Sequence, residues 1–205
     1  VLDLTTMALV FGAIFLVELP DKTFIATLVM STRFRPLLVW IGVGLAFLVQ
    51  TLVAVVAGGL LAKLPTTPVQ LVAIAMFLIG GVILLKGAAA ADAEEAETEE
   101  EFAEKSNRQV RGWQIVSMCF GIIFLAEWGD LSQLLTASMV LKYGEPVSVF
   151  LGAWAALLAV SALGAALGRT LLTKMKLSTI RRIGGVVCLV LALMGILELT
   201  GVFGG

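Results

Sequence analysis

Six long apolar stretches, separated by short polar turns, make up most of the chain. They cover residues 4–31, 37–62, 69–85, 113–141, 147–168 and 183–203. A helix needs about 20 apolar residues, with a range of roughly 17 to 25, to cross the hydrocarbon core of a bilayer. All six stretches are long enough. The pattern therefore predicts an all-α integral membrane protein with six transmembrane helices.

The composition supports a protein embedded in lipid. Of the 205 residues, 60% are hydrophobic and only 14% are charged, whereas soluble domains carry about a quarter charged residues. The chain has no histidine, which excludes Ser–His hydrolases and His-ligated zinc or haem sites. Cys119 and Cys188 lie within separate apolar stretches, which favours two small buried side chains over a disulfide. The net charge of −1 gives no indication of nucleic-acid binding.

An acidic segment divides the chain in two. Eight acids followed by three bases lie between residues 88 and 111: Asp92, Glu94, Glu95, Glu97, Glu99, Glu100, Glu101, Glu104, Lys105, Arg108 and Arg111. Such charge blocks are typical of solvated linkers, helical in part if at all. We therefore expect a first three-helix repeat over residues 1–87, a linker over 88–112 and a second repeat over 113–205.

One polar motif interrupts both the first and the fourth apolar stretch. It reads Glu-Leu-Pro-Asp-Lys-Thr at residues 18–23 and Glu-Trp-Gly-Asp-Leu-Ser at residues 127–132. Thr27 follows the first copy and Thr136 follows the second at the same spacing. Acids inside a membrane span are costly and usually functional. The matched copies therefore indicate a duplicated unit that builds one site.

The basic residues predict the orientation. The turns after the first, third and fifth stretches hold 11 of the 14 Lys and Arg: Arg33, Arg35, Lys86, Lys105, Arg108, Arg111, Arg169, Lys174, Lys176, Arg181 and Arg182. Positively charged loops stay in the cytoplasm, so both termini are expected outside. A repeat of three spans inserts its second copy upside down, which is the inverted-repeat plan of many secondary transporters.

The position of the motifs predicts a site near the membrane midplane. Each glutamate lies about 14 residues into its span, or about 21 Å deep in a helix. The i,i+3 spacing places Glu18 with Asp21, and Glu127 with Asp130, on one helix face. Pro20 is expected to break its helix and free a backbone carbonyl, and Gly129 to weaken the second helix more mildly.

The side chains of the motifs favour a hard divalent cation. Four carboxylates and the hydroxyls of Thr23 and Ser132 are oxygen donors, which suit Ca²⁺, Mn²⁺ or Mg²⁺ better than Zn²⁺ or Cu⁺. Closely spaced acids take up protons when the cation leaves, because like charges disfavour one another's ionised form. Alternating occupancy by a metal ion and protons is antiport chemistry. Lys22, which has no counterpart at Leu131, is expected close to these carboxylates.

The doubled motif resembles the Glu-x-Gly-Asp-Lys/Arg-Thr/Ser signature of the Gdt family, the calcium/proton antiporter-2 group of the lysine-exporter superfamily. The resemblance covers the whole chain, including the acidic linker. It implies export of Mn²⁺ or Ca²⁺ from the cytoplasm against protons. It also implies cation ligation by Glu18, Asp21, Glu127 and Asp130, with Thr23, Ser132 and Gln133 nearby. Pro20, Phe24 and Leu131 depart from the family pattern.

Other functions remain open at this stage. An exporter of amino acids or other small organic cations is the main alternative, and an intramembrane aspartyl protease and a passive channel are further ones. The sequence favours a transporter over an enzyme, with no bound cofactor, a divalent metal ion as substrate and the lipid bilayer as partner. The short length suggests a prokaryotic cytoplasmic membrane. Homodimerisation is left open.

Overall fold

A computed structural model describes residues 2–19, 22–63, 66–87, 91–106, 110–174 and 177–200. Within these ranges the chain is helical, without strands, which confirms the all-α prediction. The helices are α1 (Leu4–Glu18), α2 (Lys22–Arg33), α3 (Pro36–Leu61), α4 (Thr66–Gly87), α5 (Ala91–Lys105), α6 (Trp113–Ala126), α7 (Leu131–Tyr143), α8 (Pro146–Lys174) and α9 (Leu177–Leu199).

The first and fourth apolar stretches each form two helices rather than one. α1 and α2 meet at 71°, and α6 and α7 meet at 74°. By length and composition, α3 and Pro146–Ala166 of α8 can each cross a bilayer, and each bent pair can form one further broken span or a re-entrant loop. These spans are counted over the described part of the chain alone. The count of six spans therefore stays a prediction.

The helices pack as two related repeats. In the first repeat, α1 and α2 both pack on α8. In the second repeat, the equivalent helices α6 and α7 both pack on α3. The remaining major pairs, α3 with α8 and α4 with α9, join equivalent helices of the two halves. Exchanging α1–α4 for α6–α9 therefore reproduces the main packing pairs, as a duplicated chain folded around a pseudo-twofold axis should.

The close contacts of two glycines show the same equivalence between the two repeats. A Cβ atom on Gly42 of α3 would lie 2.5 Å from the carbonyl oxygen of Val116 on α6. A Cβ atom on Gly152 of α8 would lie 2.5 Å from the carbonyl oxygen of Met7 on α1. Gly42 and Gly152 occupy equivalent positions of the two repeats, and so do Met7 and Val116. Only a residue without a side chain permits such close helix packing.

The acidic linker contains a helix that packs on the bundle. α5 contacts α2 and α9, and Thr98, Phe102 and Ser106, spaced four residues apart, are buried along one face. Phe102 belongs to the hydrophobic core. The linker is therefore more helical and less solvated than its charge suggests, because the buried ring of Phe102 packs α5 against the bundle.

Candidate functional site

Each motif glutamate lies where the first helix of a bent pair ends. Glu18 is the last residue of α1, and Glu127 is the C-cap residue of α6. Glu18 is only 2% exposed and Glu127 only 3%. The final carbonyls of a helix carry partial negative charge and lack intrahelical partners. Both carboxylates are thus buried beside negative helix ends, a setting that favours a bound cation or proton.

The two breaks are made by different local chemistry. In the first, Leu19 adopts an extended conformation (φ −97°, ψ 109°), as expected of a residue that precedes proline. Pro20 and Asp21 lie outside the described residues. In the second, Gly129 has φ +79°, a left-handed conformation that glycine adopts without strain. The second break is as sharp as the first, so the expected milder effect of Gly129 is wrong.

Asp130 acts as the N-cap of α7. One carboxylate oxygen accepts a hydrogen bond from the backbone N–H of Gln133 at 3.1 Å, and the other accepts from the hydroxyl of Ser132 at 2.8 Å. Because α6 ends before Glu127 and α7 begins after Asp130, the i,i+3 rule does not apply to this pair. The expectation that Glu127 and Asp130 share one helix face is therefore wrong.

Gln133 holds the second break together. Its side-chain Nε2 donates to the carbonyl of Glu127 at 2.6 Å, and its Oε1 accepts from the N–H of Gly129 at 3.2 Å. One amide thereby satisfies both a donor and an acceptor that the interrupted helix leaves exposed. The equivalent residue of the first repeat is Phe24, which is buried and cannot form either bond.

The hydroxyl residues of the two halves are alike in burial, and Thr27 and Thr136 are also alike in their hydrogen bonds. Thr23 and Ser132 are buried in the first turns of α2 and α7. Thr27 and Thr136 each donate to the carbonyl four residues earlier, at 2.7 Å in both repeats. The Thr23 hydroxyl has no hydrogen-bond partner within the described part of the chain. It is an oxygen that a ligand could use.

Lys22 opens α2 and is exposed. Its charge reaches the linker helix: Lys105 and, to a smaller extent, Lys22 hold the pKa of Glu101 below its ordinary value. In the structure, Lys22 thus interacts electrostatically with Glu101 of α5. Its expected effect on the motif carboxylates stays a prediction.

The broken elements of the two repeats touch one another. α1, which ends at Glu18, packs against α7, which Asp130 caps, and α2 contacts α6. Among the described residues, no three Asp, Glu or Cys side chains form a group able to hold a metal ion. Asp21 is outside that set, so convergence of all four carboxylates stays a prediction.

Gln50 of α3 is a polar residue at the second break that the motif analysis missed. It is 2% exposed, and its Nε2 donates to the carbonyl of Phe124 at 3.2 Å. Phe124 lies in the last turn of α6, three residues before Glu127. The sequence does carry a signal, because Gln50 is the one amide in the apolar helix Pro36–Leu61.

Comparison with known proteins identifies the family. The model of the divalent cation/proton antiporter GDT1 family matches residues 6–92 and 115–201, one match in each repeat. The GDT1-like protein sll0615 of Synechocystis is 34% identical over 130 residues, covering 60% of this chain and 63% of the relative. The chloroplastic PAM71 homologue of Arabidopsis thaliana is 29% identical over 203 residues, covering 89% of this chain and 56% of the relative.

A rice relative, the chloroplastic GDT1-like protein 2, is 28% identical over 202 residues, covering 89% of this chain and 58% of its own length. The aligned regions thus span about three fifths of the curated relatives' length. No solved structure matches the chain.

Proposed function

Because the chain belongs to the GDT1 family of divalent cation/proton antiporters, we propose that it exports Mn²⁺, Ca²⁺ or both from the cytoplasm in exchange for protons. The observation that carries this proposal is the matched pair Glu18 and Glu127. Both are buried, and both lie at the C-terminal end of the first helix in a bent pair.

The helix ends give the two acids of the second motif, Glu127 and Asp130, different roles. A glutamate at a helix C-terminus lies in a negative potential, which a cation or a proton relieves. Asp130 at a helix N-terminus lies in a positive potential, and its two carboxylate oxygens accept hydrogen bonds from Ser132 and Gln133. We infer that Glu18 and Glu127 exchange metal and protons, while Asp21 and Asp130 shape the site and contribute charge.

Hydroxyl and amide oxygens complete the proposed donor set. Thr23 and Ser132 lie in the first turn of the helix that follows each break, and Gln133 borders the second break. All of these are hard oxygen ligands, and a divalent cation held by several of them favours Ca²⁺ or Mn²⁺ over softer metals. Buried carboxylates cannot all remain ionised once the cation leaves, so protons must enter in its place.

Flux through proteoliposomes tests the proposal. Purified protein is reconstituted with a pH dye and a divalent-metal dye inside the vesicles, and Mn²⁺, Ca²⁺ or lysine is added outside. We expect Mn²⁺ or Ca²⁺ to make the interior more alkaline as protons leave, and lysine to have no effect. Metal entry without a pH change would instead indicate a passive channel, and a response to lysine would indicate an amino-acid exporter.

A further inference from the structure

We propose that Gln50 is a positioning residue for transport, whose side-chain amide fixes the end of α6 and thereby the carboxylate of Glu127. The inference rests on the proposed function, because it adds a residue that acts on the same site. Gln50 belongs to neither motif copy and lies on a different helix.

The burial of Gln50 shows that its amide has a specific task. It lies near the middle of α3, a 26-residue apolar helix, and is almost fully shielded from solvent. An amide in such surroundings is costly unless it is hydrogen-bonded, and an aliphatic side chain would fill the same space without that cost. Its donor reaches one of the four last carbonyls of α6, which the helix ending leaves without intrahelical partners.

α3 packs against both helices of the second bent pair, α6 and α7. Gly42 packs against Val116 of α6, and Gly58 packs against Ala137 of α7. Gln50 lies midway between these glycines, eight residues or about 12 Å from each. The helix is therefore anchored on either side of the break, and Gln50 contacts the chain at the break itself.

Two amides thus hold the second break from different elements. Gln50 of α3 binds the carbonyl of Phe124, one turn before Glu127, and Gln133 of α7 binds the carbonyl of Glu127 itself. The glutamate is fixed from both directions along the chain. A site that binds a small cation depends on such fixed ligands, because ligand distances decide both affinity and selectivity.

The first break has no equivalent pair of amides. When Gly42 is aligned with Gly152, the position of Gln50 is occupied by Val160, and when the two motifs are aligned, that of Gln133 is occupied by Phe24. Both replacements are buried and apolar. The two amides therefore hold only the second break. Their loss should change how well Glu127 binds the cation without altering the packing shared by both repeats.

The test is the dependence of flux on cation concentration in proteoliposomes. Gln50→Met keeps the length and volume of the side chain but removes the donor. We expect KM for Mn²⁺ to rise up to about tenfold, which is the change when the full free energy of one lost buried hydrogen bond is transferred to cation binding, with Vmax within about twofold of the wild type. The same series is repeated with Ca²⁺. Ser161→Ala is the control, because its buried hydroxyl bonds to Leu158 of its own helix, and its KM should not change.

Each outcome decides a separate point. An unchanged KM in Gln50→Met, or a fall in Vmax alone, overturns the positioning role while leaving the antiporter intact. A wild type that responds to neither cation overturns the proposed function, and this inference with it. If Gln50→Met is not recovered as a monodisperse protein, Gln50→Asn is used instead. It keeps an amide that is one methylene too short to reach Phe124, so an unchanged KM again overturns the proposal.

Discussion

Asp130 combines a structural and a proposed chemical role in one side chain. Its two carboxylate oxygens accept hydrogen bonds from the start of α7. Each oxygen has a second lone pair, so capping does not prevent cation binding. Substitutions that keep the cap but remove the charge can separate the two roles.

Asp130→Asn and Asp130→Ala make that separation. Asparagine caps a helix about as well as aspartate, so Asp130→Asn should keep its thermal stability in detergent but lose metal-driven proton flux. Asp130→Ala should lose flux and also about 1 kcal/mol of stability, because the cap is gone. Normal transport by Asp130→Asn would mean that the residue is only a cap.

At the residue scale the sequence reveals charge more readily than hydrogen bonding. Glu18 and Glu127 stand out because acids are rare in apolar stretches, and both are buried. Gln50 is uncharged and belongs to neither copy of the motif, and its significance depends on α3 lying beside the end of α6. The hydrogen bond joins two residues that are 74 positions apart in the chain, so no local sequence pattern predicts it.

At the scale of helices, the breaks follow from local sequence while the packing follows from glycine. The helix pairs on either side of the two motifs meet at 71° and 74°, and the second bend contains the left-handed Gly129. The periodicity of the apolar stretches continues across both breaks, so hydropathy alone predicts one long helix at each place. The sequence also does not predict that α5 packs on the bundle, because the single buried ring of this helix, Phe102, is surrounded by acids.

The glycine contacts provide a matched test of the repeat. Gly42→Ala and Gly152→Ala each force a methyl group against a backbone carbonyl of the facing helix, and each should cost about 1–3 kcal/mol. Gly12→Ala and Gly121→Ala are the controls. They also occupy equivalent positions, each six residues before its motif glutamate, but no atom of a neighbouring element lies within 4 Å of the added Cβ.

Thermal unfolding in detergent measures the four variants. We expect Tm to fall by similar amounts in Gly42→Ala and Gly152→Ala, by about 2–4 °C for each kcal/mol. The two controls should be neutral or slightly stabilising, because alanine favours helix over glycine. A normal Tm in only one of the first pair would show that the two helix contacts are not equivalent.

At the scale of the whole molecule, duplication was visible in the sequence and is supported by two independent findings. The main helix pairs exchange between the halves, and the family model matches once in each half. In the third helices of the two repeats, the sequence aligns Gly80 equally well with Gly184 or with Gly195. Gly81 of α4 and Gly185 of α9 approach one another reciprocally, which favours the pairing of Gly80 with Gly184.

The central claim is that the two motifs form one site shared by a cation and protons. Calorimetric titration of the purified protein with Mn²⁺ and Ca²⁺, in buffers of different protonation enthalpy, measures both the number of cations bound and the protons released. We predict one cation per chain, bound with proton release, and loss of that binding in Glu18→Gln and in Glu127→Gln alike. Two cations per chain in the wild type, with one retained in each variant, would contradict the account.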